Sequence, residues 1–463
     1  MRTARGLTVV LVSTLCLLPA GTAGSPSGRS TLPNIVVILT DDERWDSLWA
    51  LRSVQQDLVQ HGVTFNNAMV VNSMCCPSRA TILTGNYSHT TGVYGNGGKY
   101  GGFKSFDDSS TVAVWLHNAG YQTALLGKYL NRYDEIYTPP GWDEWDAFEN
   151  AQGGGAFYNY HLNQDGTLVW YGSDGTDYST DVLAGKADAW IRGANPDAPL
   201  FLDLALYAGH TPYTPGPNYV HAFRHLPPYR PPNYNEADVS DKPAWVQALP
   251  TMTQDKQRHT DNQRKDQYRT LLSADDAVAR LIAALSDTGR LSNTLVMFMS
   301  DNGIAQGEHR WTNKKVAYEE SIRIPMVIRY DPYTYSAPRS DDHLVLNMDL
   351  AATFAELAGL NPPVTEGTSL VPLIQSPDPP SWRSDFLIEY RKDGPRDEVP
   401  TFCAVRDEGY LYVSYQVSGE EELYDLALDP YELDNKVTDP SYGSVLAELR
   451  GREAELCQPP PPP

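Results

Sequence analysis

The sequence predicts an α/β fold with a large mixed, mostly parallel sheet flanked by helices and a smaller C-terminal antiparallel sheet. Two continuous apolar runs, at residues 34–40 and 295–300, each end in acidic residues. Such runs are typical of strands covered on both faces. Helical patterns lie between the strand candidates, which favours parallel strands joined by helices. After Pro379 the pattern changes to short strands separated by turn residues, which indicates antiparallel pairing.

The elements of the large sheet follow from these patterns in chain order. Further strands are predicted at residues 121–126, 200–206 and 326–329. A helix is predicted from about residue 266 to 287, because its apolar residues share one stripe and Gly289 follows. Another helix is predicted at residues 348–358. Residues 211–250 are rich in Pro, Tyr and Asn without periodicity, and we expect an ordered excursion over the surface.

The C-terminal unit is predicted from its short alternating segments. Its strands are expected at residues 386–390, 402–406, 410–415 and 422–426. The predicted division of the chain is a signal peptide (1–23), a flexible leader (24–31), a catalytic α/β domain (32–379), a C-terminal antiparallel subdomain (380–457) and a disordered proline tail (458–463).

Residues 1–23 resemble a secretory signal, with Arg2 and Arg5 before an apolar run that is too short to span a membrane. We therefore expect a secreted protein. Cys16 belongs to this signal and is expected to be removed with it. Of the remaining cysteines, Cys403 and Cys457 are a possible disulfide pair because both lie near the chain end, and export permits such bonds.

The charge balance limits the classes of binding partner that are expected. The chain of 463 residues carries 36 Lys and Arg against 58 Asp and Glu, a formal net charge of −22. This balance argues against nucleic acid and anionic membrane surfaces, and it disfavours a non-specific grip on long polyanions.

A short helix is predicted from Pro77 to Thr84, with Gly85 just past its end. Cys75 then lies at the positive N-terminal end, where anions and activated nucleophiles are favoured. Arg79 is four residues on and can share the same face. The alternatives are a buried structural thiol or a disulfide partner.

Acidic pairs follow both buried runs, Asp41-Asp42 after the first and Asp301-Asn302 after the second. Because ligands gather at the carboxyl ends of parallel strands, these oxygens predict a site for Ca²⁺ or Mg²⁺. Two ordinary strand-end turns are the alternative.

Three basic side chains are expected at the same edge of the sheet. Lys128 and His210 each follow a predicted strand, and Lys314 follows the second acidic pair. A solvated lysine, a structural histidine and a charged loop are the alternatives. Lys315 cannot be distinguished from Lys314 on these grounds.

The run from Cys75 to Arg79, with Thr84-Gly85 downstream, resembles the signature of the sulfatase family. The resemblance extends over nearly the whole mature chain and implies an alkaline-phosphatase-like fold. Within the family the sequence is most similar to N-acetylglucosamine-6-sulfatases and extracellular heparan endosulfatases. Further matching segments follow in the family's order: Asp41-Asp42, Gly127-Lys128-Tyr129-Leu130-Asn131, His210-Thr211-Pro212, Asp301-Asn302-Gly303, Lys314, Arg323-Ile324-Pro325 and Leu423-Tyr424-Asp425-Leu426 with Glu432.

The resemblance implies that a formylglycine-generating enzyme oxidises Cys75 before or during export, while Cys76 remains a thiol. One hydroxyl of the hydrated aldehyde then attacks sulfur, and loss of a proton from the second hydroxyl releases sulfate. The implied residue roles are Ca²⁺ binding by Asp41, Asp42, Asp301, Asn302 and the residue-75 oxygen, steadying of the diol by Arg79, sulfate binding by Lys128 and Lys314, and contact of His210 with the leaving oxygen as sulfate ligand or acid.

Three positions depart from the common family pattern. Leu130 and Tyr213 stand where histidine is frequent, and Asn86 stands where a basic residue is common. The first removes one expected group from the sulfate site, although it agrees with the glucosamine-sulfatase branch.

The expected function is hydrolysis of sulfate monoesters, on 6-sulfated N-acetylglucosamine or another small sulfate ester. The negative charge favours a terminal sugar over a long sulfated chain. The alternatives are an arylsulfatase of broad specificity, a phosphate or phosphonate monoester hydrolase of the same superfamily, and a non-catalytic glycan-binding relative. A redox protein using Cys75 and Cys76 leaves the acidic pairs unexplained.

Overall fold

The computed structural model describes residues 31–134, 136–149, 156–335, 337–361, 365–379, 381–392 and 394–462. The predicted signal peptide and residues 24–30 of the leader lie outside the described residues, and the predicted domain boundaries stay predictions. Among the described residues, no helix combines the length and the apolar character that crossing a membrane requires.

Ten strands form the large sheet, in the order β10-β2-β9-β8-β1-β7-β3-β4-β5-β6. The strands β8, β1, β7, β3 and β4 are contiguous and parallel, and antiparallel pairs join β9, β5 and β6 to the sheet. The sheet is therefore mixed with a parallel centre, which confirms the predicted fold class. Its strands are β1 (Asn34–Thr40), β2 (Val63–Met69), β3 (Gln122–Gly127), β4 (Glu144–Glu149), β5 (Tyr160–Gln164), β6 (Thr167–Tyr171), β7 (Leu200–Ala205), β8 (Thr294–Ser300), β9 (Met326–Tyr330) and β10 (Arg339–Leu346).

Helices cover both faces of the sheet. Along β1, Ile35, Val37 and Leu39 belong to one apolar core, whereas Val36 and Ile38 belong to the core on the opposite face. This explains why the strand is apolar throughout rather than alternating. The helices are α1 (Cys75–Thr84), α2 (Ser88–Thr91), α3 (Val112–Asn118), α4 (Ser179–Gly193), α5 (Ala244–Gln247), α6 (Gln254–Asp287), α7 (Glu319–Ile322), α8 (Asp331–Thr334), α9 (Asp349–Leu357), α10 (Val371–Gln375) and α11 (Gly443–Leu456).

The C-terminal unit is a four-stranded antiparallel sheet in the order β11-β12-β13-β14, with α11 packed on it. A disulfide joins Cys403 of β12 to Cys457 at the end of α11. In the predicted tail, the backbone carbonyl of Pro462 accepts a hydrogen bond from Arg391 Nε at 2.9 Å. The strands are β11 (Asp385–Tyr390), β12 (Phe402–Asp407), β13 (Tyr410–Tyr415) and β14 (Glu421–Asp425).

Two helix boundaries differ from the sequence-based expectation. Helix α1 begins at Cys75, two residues before the predicted start at Pro77, because the extended Met74 is its N-terminal cap. Proline is tolerated at this third position because the first N–H groups of a helix have no partner within it. Helix α6 begins at Gln254, about twelve residues before the predicted start, since its first part is polar and carries no apolar stripe.

Candidate active site

Four neighbouring parallel strands deliver the candidate residues to one edge of the sheet. Backbone hydrogen bonds continue past the strand ends: Asp301 N donates to Thr40 O (3.1 Å), Asp41 N to Ala208 O (3.0 Å) and Lys128 N to Ala205 O (2.8 Å). The segments that follow β8, β1, β7 and β3 are therefore held in register where the polar side chains begin.

Cys75 lies at the first turn of α1, completely buried, and faces these strand ends. Its Sγ atom lies 3.5 Å from Asp41 Oδ1 and 2.6 Å from Lys314 Nζ. The helix start is anchored by Ser78, whose hydroxyl donates to the backbone carbonyl of Asp301. Residue 75 is thus the point where the helix start, a carboxylate and a lysine meet.

The Cys75 thiol is not itself activated. Burial is the main cause that raises its pKa far above the ordinary value, and the negative charge of Asp41 adds to the increase. Burial also raises the pKa of Cys76 to about 12. Since the thiolate is the nucleophilic form, both residues are protonated and unreactive as thiols at neutral pH. The buried neighbouring thiols therefore do not support a redox function.

Asp41 and Asp42 keep their negative charges despite complete burial. Burial is the largest single influence and raises a carboxyl pKa, but several positive charges together outweigh it. Lys128, His210 and Arg79 lower the pKa of Asp41, and Lys314, His210 and Lys128 lower that of Asp42. Each lysine Nζ is in direct contact with its aspartate. Asp42 also has a left-handed backbone with φ of 57°, which aspartate tolerates better than most residues.

Arg79 connects the helix to two of the strand ends. Its Nε donates to Asp301 Oδ2 at 2.8 Å, and its NH1 group donates to the backbone carbonyl of Lys128 at 2.7 Å. The remaining NH2 group lies 3.6 Å from Asp41 Oδ2. Among the described residues this buried NH2 group has no hydrogen-bond partner, so it is free to donate to a bound anion.

The strand-end oxygens suit a hard cation. The ligand atoms of Asp41, Asp42, Cys75 and His210 lie within 4.8 Å of one another. Asp301 Oδ1 borders the same cluster, since it accepts a hydrogen bond from Asp42 N at 3.2 Å. The buried Asn302 Oδ1 has no donor within the described part of the chain. Clustered carboxylates together with an unpartnered amide oxygen fit the oxygen ligands that Ca²⁺ or Mg²⁺ requires.

The structure distinguishes the two neighbouring lysines. Lys314 is buried at the centre of the site, in contact with Asp42 and Cys75. Lys315, which has a left-handed backbone, turns away and donates to Asp397 Oδ2 at 3.1 Å. Of these two lysines, only Lys314 can contact a ligand bound at residue 75.

His210 lies at the mouth of the site. Its Nδ1 contacts the carbonyl of Thr211 at 2.6 Å, which leaves Nε2 to face Asp42 Oδ2 at 3.6 Å. A cavity of about 230 Å³ opens here. Besides Asp42, His210 and Lys314, its lining is mainly neutral and polar: Thr211, Tyr213, Thr260, Gln263, Gln306, Thr312 and Asn313.

The sequence analysis missed two residues that support the site. Gln267 of α6 donates to the backbone carbonyls of Asp42 (2.8 Å) and Gly209 (3.0 Å), so it ties together the segments after β1 and β7. Gln306 Nε2 in turn donates to Gln267 Oε1 at 2.7 Å. Neither Gln267 of α6 nor Gln306 of the loop after β8 carries a local signal, because a buried glutamine is recognised only from what packs against it.

The chain matches known proteins over most of its length. The family model described as "Sulfatase" matches residues 33–360, and the model described as "N-sulphoglucosamine sulphohydrolase, C-terminal" matches residues 307–458. Human N-acetylglucosamine-6-sulfatase is 33% identical over 386 residues, which cover 80% of this chain and 69% of that protein. The extracellular sulfatase SULF-1 homolog of Drosophila melanogaster is 33% identical over 79% of this chain and 34% of its own length.

A solved structure of a protein in complex with its substrate D-glucosamine-2-N,6-O-disulfate superposes with a TM-score of 0.77 at 23% identity. The match covers 92% of this chain and 97% of that one. At this level of identity the likeness establishes the shared fold.

Proposed function

This chain belongs to the sulfatase family, and we propose that it hydrolyses the sulfate monoester of 6-sulfated N-acetylglucosamine through a formylglycine formed from Cys75. The proposal depends mainly on the environment of residue 75. A completely buried cysteine at a helix start contacts Asp41 and Lys314, yet its thiol is held protonated. An unmodified cysteine has no nucleophilic role in such a place, whereas an oxygen nucleophile does.

We propose that Asp41, Asp42, Asp301 and Asn302 hold a calcium ion beside residue 75. When bound, Ca²⁺ supplies positive charge to sulfate oxygens, and the hydrated aldehyde of formylglycine supplies the attacking oxygen. The unpartnered Asn302 Oδ1 and the carboxylates kept ionised support this assignment.

The remaining side chains are arranged for a small anionic group. Lys128 and Lys314 are both protonated. Burial is the largest single influence and lowers a lysine pKa, but the surrounding negative charges, led by Asp41 at Lys128 and by Asp42 at Lys314, together outweigh it and raise both pKa values. Their ammonium groups and the spare NH2 of Arg79 can neutralise the sulfate oxygens as charge develops. His210 Nε2 is at the cavity mouth, and Nδ1 keeps its hydrogen on the carbonyl of Thr211. In the doubly protonated form of the ring, Nε2 can give its proton to the leaving alcohol oxygen.

The cavity supports a small terminal sugar over an internal unit of a long chain. Its volume of about 230 Å³ is below the ~300–1,000 Å³ of pockets for drug-sized ligands. The neutral amides and hydroxyls of its lining suit sugar hydroxyl groups. A net charge of −22 also opposes prolonged binding of a polyanion. We propose that the enzyme is secreted, as its N-terminal sequence predicts, and matured by a formylglycine-generating enzyme.

The test combines a peptide mass with a substrate panel. Protein exported from a host that has the maturation enzyme should carry a residue 75 lighter than cysteine by the mass of the formylglycine conversion. It should hydrolyse 6-sulfated N-acetylglucosamine in preference to an aryl sulfate, a phosphate monoester or an internal sulfated unit of an oligosaccharide. Cys75→Ala should abolish turnover, whereas Cys76→Ala should retain it. Full activity with an unmodified thiol refutes the mechanism, and preference for phosphate esters refutes the substrate class.

A further inference from the structure

A second buried cluster of metal-ligating side chains lies outside the strand-end site. The ligand atoms of His309, Glu320 and Glu432 lie within 4.8 Å of one another. His309 precedes Lys314 in the same loop, Glu320 belongs to α7, and Glu432 follows β14 of the C-terminal sheet. His309 is 1% exposed, Glu320 8% and Glu432 0%.

The histidine is oriented as metal-binding histidines usually are. His309 Nδ1 lies 2.7 Å from Glu236 Oε2, and an ionised carboxylate can only accept, so Nδ1 carries the hydrogen. This leaves the lone pair of Nε2 directed to the cluster, 3.9 Å from Glu432 Oε2. A carboxylate that holds the far nitrogen of an imidazole is the common support of a histidine ligand.

The carboxylates of the cluster lack positive partners. Arg44 pairs with the neighbouring Glu308 at 3.0 Å, and Lys242 lies 3.6 Å from Glu236. Within the described residues, no lysine or arginine lies within salt-bridge distance of Glu320 or Glu432. The buried oxygens Glu320 Oε2 and Glu432 Oε1 also have no hydrogen-bond donor in the described chain. The other oxygen of each group accepts one hydrogen bond, from Asn233 Nδ2 to Glu320 and from Glu319 N to Glu432. A buried carboxylate that keeps an unpartnered oxygen is costly unless a proton or a cation neutralises it.

Asn233 supplies an independent indication. Its side-chain Nδ2 lies between His309 Nε2 (3.3 Å) and Glu320 Oε1 (2.9 Å), while its completely buried Oδ1 has no donor among the described residues. Oxygen and nitrogen of a carboxamide exchange places when the group turns over. Turned over, the amide would present its oxygen to the cluster as a fourth ligand, and the orphaned acceptor would be satisfied.

We propose that His309, Glu320, Glu432 and Asn233 bind a divalent transition-metal ion, with Zn²⁺ as the first candidate and Mn²⁺ as the second. One imidazole nitrogen with carboxylate and amide oxygens suits this class of ion. The ion fastens the loop that carries Lys314 to the C-terminal sheet and to the surface excursion that contains Asn233.

The test measures bound metal and does not depend on activity. The full chain is prepared with Cys75→Ala, so that no thiol at the active site binds Zn²⁺, then stripped with a chelator and resupplied with excess Ca²⁺. Titration with Zn²⁺ should leave about one tightly bound ion per chain by elemental analysis and should raise the Tm. Mn²⁺ is titrated in parallel to distinguish the two ions.

The matched variants each replace one of two buried glutamates of the C-terminal unit. Glu432→Gln should lower the bound metal to less than about a tenth of an equivalent. Glu422→Gln should leave it unchanged, because Glu422 is equally buried but accepts hydrogen bonds from Tyr318, Tyr415 and Tyr424. A chain that retains neither Zn²⁺ nor Mn²⁺, with an unchanged Tm, overturns the proposal and leaves Glu320 and Glu432 as protonated carboxyls.

A second variant covers the case in which Glu432→Gln does not fold. Glu236→Gln keeps all four proposed ligands but weakens the support of His309 Nδ1. The Kd for Zn²⁺ should rise by about 10–100-fold while the stoichiometry stays the same. An unchanged Kd in this variant contradicts the orientation of His309 on which the proposal depends.

Discussion

Lys314 Nζ lies 2.6 Å from Cys75 Sγ, whereas the adjacent Lys315 is bonded to Asp397 on another side of the loop. Lys314→Met should therefore lower kcat/KM by about 10²–10³-fold, the cost of removing one charged donor from a developing anion. Lys315→Met should change it by about twofold or less. Steady-state kinetics with a sulfated sugar and the Tm of both variants check this. Equal losses in the two variants would show that loop charge, not contact with residue 75, matters.

Calcium should stabilise the folded protein through the strand-end carboxylates. At a free Ca²⁺ concentration 100 times its Kd, the free energy of unfolding should rise by about 2.7 kcal/mol, and a chelator should reverse the change. Asp301→Asn should remove most of this dependence, because Asp301 lies beside Asp42 and Arg79. The exposed Asp255→Asn is the control. Calorimetry with and without Ca²⁺ makes the comparison, and an undiminished calcium effect in Asp301→Asn would contradict the assignment.

His89 should make the stability of the protein depend on pH. Burial lowers its pKa, but hydrogen bonds to Glu366 and Glu389 outweigh this and raise the pKa to about 9. The folded pKa exceeds the unfolded value of about 6.5, so the stabilisation is complete below pH ~6.5 and is lost as the pH rises through about 9. Glu389 lies on β11, so this contact holds α2 to the C-terminal sheet.

The variant His89→Gln measures that contribution. It should lower the free energy of unfolding by about 1.5–3 kcal/mol at pH 6, the range for hydrogen bonds to charged groups, and by less at pH 10. Chemical denaturation at the two pH values gives the difference, and the exposed His259→Gln should show none. A loss that is as large at pH 10 as at pH 6 would rule out a charged imidazole.

Gly209 allows the segment after β7 to approach β1. Its φ is +100°, and a Cβ there would lie 2.2 Å from the carbonyl oxygen of Asp41. Gly209→Ala should displace His210 and the Asp41 carbonyl, lower kcat by at least about tenfold and reduce stability by about 1–3 kcal/mol. At Gly193, at the end of α4, an added Cβ would have no other atom within 4 Å, so Gly193→Ala should leave kcat unchanged. Normal kinetics in Gly209→Ala would mean that this close approach does not position the site.

The central strands could be predicted because burial on both faces leaves a strong local signal. Residues 35–39 are all apolar, and the predicted bounds of 34–40 match those of β1. The sequence analysis gave no prediction for β5 and β6, because β5 contains His161, Asn163 and Gln164 and the edge strand β6 is partly exposed. Edge strands face solvent on one side, so their residues need not be apolar.

The residue types of the candidate site could be predicted, but not their pairing. The order of chain segments placed Lys128, His210 and Lys314 at one edge of the sheet, and there the structure places them. Only the folded backbone distinguishes Lys314 from Lys315 or positions Gln267 beneath Asp42. The cluster of His309, Glu320 and Glu432 escaped notice for the same reason, since Glu432 lies more than a hundred residues along the chain from the other two.

If Cys75 is converted to formylglycine as proposed, its complete burial determines the order of conversion and folding. An enzyme that oxidises this side chain must reach it while α1 is unformed and the strand ends are apart, because in the folded chain the residue is 0% exposed. Folding would therefore end the period in which the proposed conversion can occur. A chain that folds before conversion would stay inactive although its stability is normal. The active fraction of a preparation would then depend on the relative rates of conversion and folding in the producing cell.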